Sequence, residues 1–247
     1  MRCEEYQDAQ YSKIFSDESD RYNTFNSVKI KKALSFFENH ENSKILDIGC
    51  GDGTFSKIIG DSTKAKIFGL DISQSCVDSA NEKGIIAKKM DIDGAKLPFM
   101  DETFGAVFCG DTIEHIFDTD KLIKEVHRIL KPNGYIVISV PNVTAWYNRG
   151  LALLGFLPAW IEPTSGEYRG TPFSNMGCGH VRAFNKRVLV HFLEDRGFDI
   201  ESIKGAHIVA DKEFSKTKRA LWNSVDSLFS RFPGLSTFIV VKARKLK

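Results

Sequence analysis

Apolar positions along the chain switch between two periods. Over residues 28–38 they recur at 30, 33, 34 and 37, the spacing of one helical face. A short apolar run at 44–48 ends in glycine, and a helix opens at 54 directly behind the glycines. The next apolar run is 66–70, after which Ser73 can cap a helix reaching to about 83. Residues 85–90 and 105–109 read as the third and fourth strands. Asp118 caps a helix whose apolar positions 122, 123, 126, 129 and 130 share one face. Lys131-Pro-Asn-Gly134 is a stop-and-turn signal before a β-branched strand at 135–140. This βαβαβ rhythm predicts a parallel sheet covered by helices on both faces. It breaks over 142–179, a stretch rich in Gly, Pro and aromatics, and a connection of that length inside a compact domain is usually functional. It then returns as a helix at 185–196 ended by Gly197, a strand at 198–203, a helix at about 212–230 and a last strand at 236–243. The 212–230 helix carries Phe214, Leu221, Trp222, Val225, Leu228 and Phe229 on one side.

With 247 residues, 42% of them hydrophobic, the chain can bury one large α/β core, and no internal repeat divides it. Lys and Arg number 34 against 32 Asp and Glu, a balance that argues against bulk nucleic acid or an anionic membrane as the main partner. The five cysteines (3, 50, 76, 109 and 178) include no C-x-x-C pair and read as reduced thiols, not as a disulfide framework or a zinc site. The polar first ten residues lack a signal-peptide pattern, and the longest apolar stretch, 151–161, is interrupted by Gly155 and Pro158. It falls short of the roughly 20 residues a membrane span needs, so a cytoplasmic location is expected.

The most informative segment is Ile45-Leu-Asp-Ile-Gly-Cys-Gly-Asp-Gly-Thr-Phe55. A strand running into Gly49, Gly51 and Gly53 and then a helix lets the backbone turn tightly against a ligand, beside free helix N–H groups. The spacing is G-x-G-x-G, not the G-x-G-x-x-G/A of dinucleotide folds, and Asp47 just ahead of it disfavours a pyrophosphate while favouring a cationic ligand. Asp71 ends the second strand, where a carboxylate can take both hydroxyls of a ribose. Asp91, followed by Ile92, ends the third and can accept from an adenine amino group. Each of these aspartates alone would be a common strand-end or cap carboxylate. Three at successive strand ends beside one glycine loop favour a ligand.

LDIGCGDGTF, GLDIS, KKMDIDGAKLPFMDETFGAVFCGDTIEHI and KEVHRILKPNGYIVISVPN together resemble the successive motifs of class I S-adenosylmethionine-dependent methyltransferases. The resemblance is to the small-molecule branch that includes quinone-biosynthesis O-methyltransferases and relatives acting on sugars and natural products. It covers about 44–141 and continues more weakly through GHVRAFNKRVLVHFLEDRGFDIES. It implies a Rossmann-like, doubly wound sheet of seven strands, mostly parallel with the last antiparallel, in a single domain. Within 1–247, residues 1–43 are expected as an N-terminal helical cap, 44–141 as the cofactor core, 142–179 as a substrate cover and 180–247 as the completion of the sheet. The implied cofactor is S-adenosyl-L-methionine, with S-adenosyl-L-homocysteine as product. Asp47, Gly49, Cys50 and Gly51 would surround its methionine moiety, and Asp71 would hold the ribose with Ile72 against the adenine. Asp91 and Ile92 would read the adenine edge, and Asp111 would lie beside the sulfonium and amino acid tail.

Methyl transfer from a sulfonium is an in-line displacement, so the protein must align the acceptor and, for a hydroxyl, remove its proton. The resemblance places His115 near the transferred methyl, while His180 closes the long loop as a competing base. Glu114 is expected to orient loop backbone or His115, and His40, His127, His191 and His207 read as structural. The segment Gly110-Asp-Thr-Ile-Glu114 is not the Asn/Asp-Pro-Pro-Tyr/Phe signature of amino-nitrogen methylation. No Pro-Cys dipeptide supports cytosine-type catalysis, and no metal-ligand spacing is visible. Trp146, Tyr147, Phe156, Trp160, Tyr168 and Phe173 are available to line a pocket but are mostly expected to pack the 142–179 segment down, with Arg149 and Arg169 free for an anionic group. The apolar run 151–161 lacks the flanking basic face of a membrane-surface helix, so peripheral membrane contact is not favoured. The basic last 37 residues read as a solvated face, without an RNA-binding module and hence without a stable nucleic-acid partner. The expected function is methyl transfer to a small-molecule acceptor at a hydroxyl oxygen. Transfer to nitrogen or carbon, to RNA or protein, or a non-catalytic cofactor-binding regulator are the alternatives.

Overall fold

The computed structural model describes residues 19–38, 43–164, 166, 172, 178–210 and 215–246, with side chains from Ser27 onward. Helix α1 (Ser19–Leu34) precedes β1 (Lys44–Ile48), α2 (Thr54–Thr63), β2 (Lys66–Asp71), α3 (Gln74–Glu82), β3 (Ile86–Lys89) and β4 (Phe104–Gly110). A short 3-10 turn (Ile113–His115) leads to α4 (Thr119–Ile129) and β5 (Leu130–Pro141). Then come α5 (Trp146–Leu153), α6 (Lys186–Glu194), β6 (Phe198–Ala206), α7 (Lys216–Phe229) and β7 (Phe238–Lys245). The seven strands lie in the order β3-β2-β1-β4-β5-β7-β6. β1 to β5 run parallel, and β7 inserts antiparallel between β5 and β6. The doubly wound sheet with one reversed final strand is therefore as the motifs implied. No helix among the described residues is long and apolar enough to cross a membrane.

The near-continuous apolar strands bury side chains on both sheet faces, as parallel strands must. On one face Leu46, Ile48, Val107 and Ile138 meet Leu122, Ile123, Val126 and Ile129 of α4 and Leu189 and Leu193 of α6. On the other, Ile45, Ala106, Val137 and Val240 meet Ile59 of α2, Val77 and Ala80 of α3, and Ala33 and Phe36 beside α1. Part of the 28–38 segment is thus a core layer. Ser73, Asp118 and Asn185 cap their helices, each side chain accepting from a first-turn amide.

Three boundaries differ from the sequence expectation for identifiable reasons. Leu130 already pairs with Phe104, so β5 starts ahead of the Lys-Pro-Asn-Gly turn, which the ladder absorbs as a register shift with Asn133 at φ 62. β6 runs on to Ala206 because β7 pairs with it over its whole length. The apolar side of α7 is only half used: Trp222 and Phe229 face Trp146, while Leu221 and Leu228 stand in solvent.

Candidate cofactor and acceptor site

At the carboxyl end of β1 the chain turns through Gly49, Gly51 and Gly53, at φ 73, 51 and 76. A side chain at Gly49 would put its Cβ 2.3 Å from Thr112 Oγ1, and one at Gly53 would sit 2.8 Å from Ala80. The loop is fixed from outside. The amides of Gly49 and Cys50 donate to the Leu70 carbonyl, and the Gly51 amide donates to Asp71 Oδ2 at 2.8 Å. The other Asp71 oxygen accepts from Ser73 N at 3.0 Å, so this buried carboxylate is held in a single orientation at the end of β2. Ile72 follows it, half-buried. The Cys50 side chain turns down into the core above Gly69, with its thiol 3.7 Å from the Gly51 carbonyl.

Asp47 is 2% exposed and accepts from Ser56 Oγ at 2.6 Å through Oδ2, while Oδ1 has no partner. Burial, opposed by Ser56 and reinforced by the neighbouring Asp71, pushes its pKa up to about 7. A buried acceptor oxygen without a donor is costly, and a cationic amino group is the chemistry that relieves it. Asp91 lies exposed two residues beyond β3, accepting from Asp93 N, with Ile92 buried beside it. Its neighbour Asp93 accepts from the amides of Phe117 and Asp118, tying this loop to the segment behind the 3-10 turn.

Asp111, at the end of β4, has the left-handed backbone (φ 50) that non-glycine residues adopt at cost. Ser139 Oγ donates to its Oδ1 at 3.1 Å, and Lys29 of α1 pairs with its Oδ2. Lys29 is buried, lies 4.2 Å from the Phe238 ring centre and has its pKa lowered by that burial. Sequence reasoning missed Lys29, since a lysine among Val28, Ile30 and Ala33 looks like any exposed helix position. Beyond Asp111, Glu114 is buried with neither carboxylate oxygen bonded, and burial raises its pKa. Its main-chain carbonyl accepts from Val181 N and Arg182 N, which fastens the end of the long loop to the 3-10 turn.

That fastening brings the two candidate bases together, with ring centres 4.8 Å apart. His115 Nδ1 is 3.0 Å from the Gly179 carbonyl, and burial plus the neighbouring His180 lower its pKa to about 4. His180 is held by a residue that sequence reasoning also missed. Glu162 Oε1 lies 3.0 Å from His180 Nδ1, close but too oblique for a formed hydrogen bond, while Oε2 accepts from the amides of Gly179 and His180. Burial raises the Glu162 pKa, but these contacts outweigh it and hold the carboxyl below the usual range. The fold draws the ligand atoms of Glu114, His115 and His180 within 4.8 Å of one another, because His180 arrives from a distant part of the chain.

Of the aromatics in the 142–179 segment, Trp160 borders the histidines, 5.9 Å from His180 and at the strained φ of 74. Trp146 donates to Asp226 and stacks on Phe229, and Tyr147 accepts from Trp160 Nε1; these two fasten α5 to α7 and to the loop. Arg149 spends its donors on the carbonyls of Thr144 and Gly234. Tyr168, Arg169 and Phe173 lie outside the described residues. The described cysteines, Cys50, Cys76, Cys109 and Cys178, are in no disulfide.

A strand-turn-helix glycine cradle, an acidic residue closing each of the first two strands and a reversed seventh strand are the features of the class I S-adenosylmethionine-dependent methyltransferase fold. Residues 46–138 match the family model described as "Methyltransferase domain". Among similar curated proteins is the ubiquinone biosynthesis O-methyltransferase of Bartonella bacilliformis, 29% identical over 51% of this chain and 52% of its own length. Another is the sterol 4-C-methyltransferase strm-1 of Caenorhabditis elegans, 34% identical over 46% of this chain and 38% of its own. The chain thus spans about half or less of the length of these relatives. A solved complex between the Haloferax volcanii Trm112 methyltransferase activator and a methyltransferase matches across 98% of this chain and 96% of the other, with a TM-score of 0.67 at 18% identity. That likeness is one of fold.

Proposed function

We propose that the protein is an S-adenosylmethionine-dependent methyltransferase that transfers a methyl group to a hydroxyl oxygen of a small-molecule acceptor. One observation carries the reading: the unpartnered, buried Asp47 oxygen stands beside a glycine turn whose Gly51 amide is locked to Asp71. When bound, the cofactor supplies a methyl group on a sulfonium, an electrophile that the protein need not activate further. Asp47 receives the cationic amino group, and Gly49, Cys50 and Gly51 give the methionine moiety a backbone wall. Asp71 takes the ribose hydroxyls with Ile72 against the adenine, and Asp91 and Ile92 meet the adenine edge. Asp111 lies at the amino acid tail, with its charge offset by Lys29.

On the acceptor side His180 is the better base. Its Nδ1 faces Glu162, which favours the tautomer with the proton on Nδ1 and leaves Nε2 free to accept the hydroxyl proton. Glu162 is a positioning residue. His115, held neutral by burial and turned to a backbone carbonyl, shapes the same loop. The test is to incubate the enzyme with S-adenosylmethionine and panels of phenols, sugars and carbon acids, measuring S-adenosylhomocysteine and locating the new methyl group. Methyl ethers support the reading; products methylated only at carbon, as the name of the sterol relative describes for that protein, or only at nitrogen would overturn it.

A further inference from the structure

The substrate end of the molecule carries a surface that methyl transfer does not explain. β5 and β6 end, and β7 begins, at one edge of the sheet, since Pro141 and Ala206 both pair with Phe238. α5 leaves β5 there, and α7 returns there to β7. The two helices hold each other through Trp146, Trp222 and Phe229, over a buried Asp226 that accepts from Trp146 Nε1, Thr237 Oγ1 and the Ile208 amide. The remaining apolar arc of α7 is uncovered, with Leu221 66% exposed and Leu228 52%, and Phe232 follows at 58%. At the end of α5, Leu153 is 88% exposed and Leu154 73%, with Phe156 just beyond. This second set adjoins the site along the chain, because the same segment continues through Trp160, beside His180, to Glu162.

We propose that this α5–α7 end docks on an anionic lipid bilayer. Lys216, Lys218, Arg219 and Arg231 lie on α7 and the turn after it, and the one acid between them, Asp226, is buried and bonded. The other basic residues described in the C-terminal part of the chain are engaged elsewhere. Lys242 and Arg244 pair with Glu38 and Glu201, and Lys245 donates to the Leu130 carbonyl. The charge available on α7 and the turn after it is therefore cationic, and it stands on the same helix as exposed leucines, the combination that seats an amphipathic helix at a lipid interface. The 151–161 run lacks basic flanks in the sequence; packing α7 beside α5 supplies them. A second copy is a poorer occupant, since a two-fold contact would set these cations against themselves. Nucleic acid would leave the leucines unsatisfied.

The test is co-sedimentation of the full chain with phosphatidylcholine vesicles, with and without phosphatidylglycerol, at rising salt. The protein should partition onto the phosphatidylglycerol vesicles and come off as salt is raised. Leu153→Asp/Leu154→Asp and Leu221→Asp/Leu228→Asp should each weaken partitioning at least tenfold, and Lys218→Glu/Arg231→Glu should weaken it by roughly fivefold or more per charge. Thermal midpoints and calorimetric affinity for S-adenosylmethionine should not change, which separates loss of docking from loss of folding. No partitioning onto phosphatidylglycerol vesicles overturns the proposal. So do leucine variants that bind like the parent, retention on RNA in place of vesicles, or a dimer that the leucine variants convert to monomer.

Discussion

The proposed cofactor half and the proposed acceptor half of the site are built in different ways. On the cofactor side the placing contacts are short in sequence. Asp47, the three glycines and Asp71 sit on two neighbouring strands and the turn between β1 and α2, and each backbone angle follows from a local glycine. On the acceptor side nothing is local. His115, Glu162 and His180 come from a 3-10 turn and from two parts of the chain beyond β5, and they meet only after the sheet has formed. A site of the first kind is written as a contiguous motif, whereas the second is written as scattered single residues.

The largest effect that tests this contrast is at His180. His180→Ala should reduce turnover by about 10²–10⁴-fold with cofactor affinity nearly unchanged, while His115→Ala costs much less. Steady-state kinetics with parallel calorimetry would show the split, and equal losses in the two variants would put the base elsewhere. Glu162→Gln should resemble a mild His180 variant, lowering kcat more than it raises KM.

Next comes Asp71→Ala, which removes two charge-assisted contacts from the cofactor side and should weaken S-adenosylmethionine binding by roughly 1–3 kcal/mol. An unaltered dissociation constant would show that the ribose is held by another group.

The pH dependence follows from Asp47. Its pKa without cofactor is raised to about 7, so below that pH the group is protonated and offers a cation nothing. Cofactor affinity should therefore rise with pH up to about 7 and level off above it, with proton release on binding at the lower end. Asp47→Asn should bind more weakly at pH 8 and lose this part of the pH dependence, the rest belonging to Lys29 and Glu114. An identical pH profile in the variant contradicts the assignment.

The smallest effect isolates geometry. Gly49 and Gly84 both have positive φ, but a Cβ at Gly49 meets Thr112 Oγ1 at 2.3 Å and one at Gly84 meets nothing within 4 Å. Gly84→Ala should cost about 1–2 kcal/mol from backbone strain alone, and Gly49→Ala more. Urea denaturation compares them, and equal losses would mean that the Thr112 contact relaxes freely.

The difference between the halves also explains what was legible. The alternation of strands and helices follows from hydrophobic periodicity, the Asp47–Asp71 cradle from a motif whose glycines have steric reasons, and the reversed last strand from the family resemblance alone. Lys29 and Glu162 were not legible, because a lysine on a helix and a glutamate in a Pro- and Gly-rich stretch become informative only once Asp111 and His180 are seen beside them. The half-exposed state of α7 was not legible for a related reason. Periodicity reports that a helix has an apolar side; what covers that side depends on its neighbours, and here Trp146 covers only part of it.

The measurement that bears most directly on the central claim is calorimetric titration of the purified chain with S-adenosylmethionine, S-adenosylhomocysteine and NAD in parallel. Binding of the first two without NAD, and its weakening by Asp71→Ala, is the predicted result. Binding of NAD alone, or of none of the three, would contradict the reading of the glycine cradle.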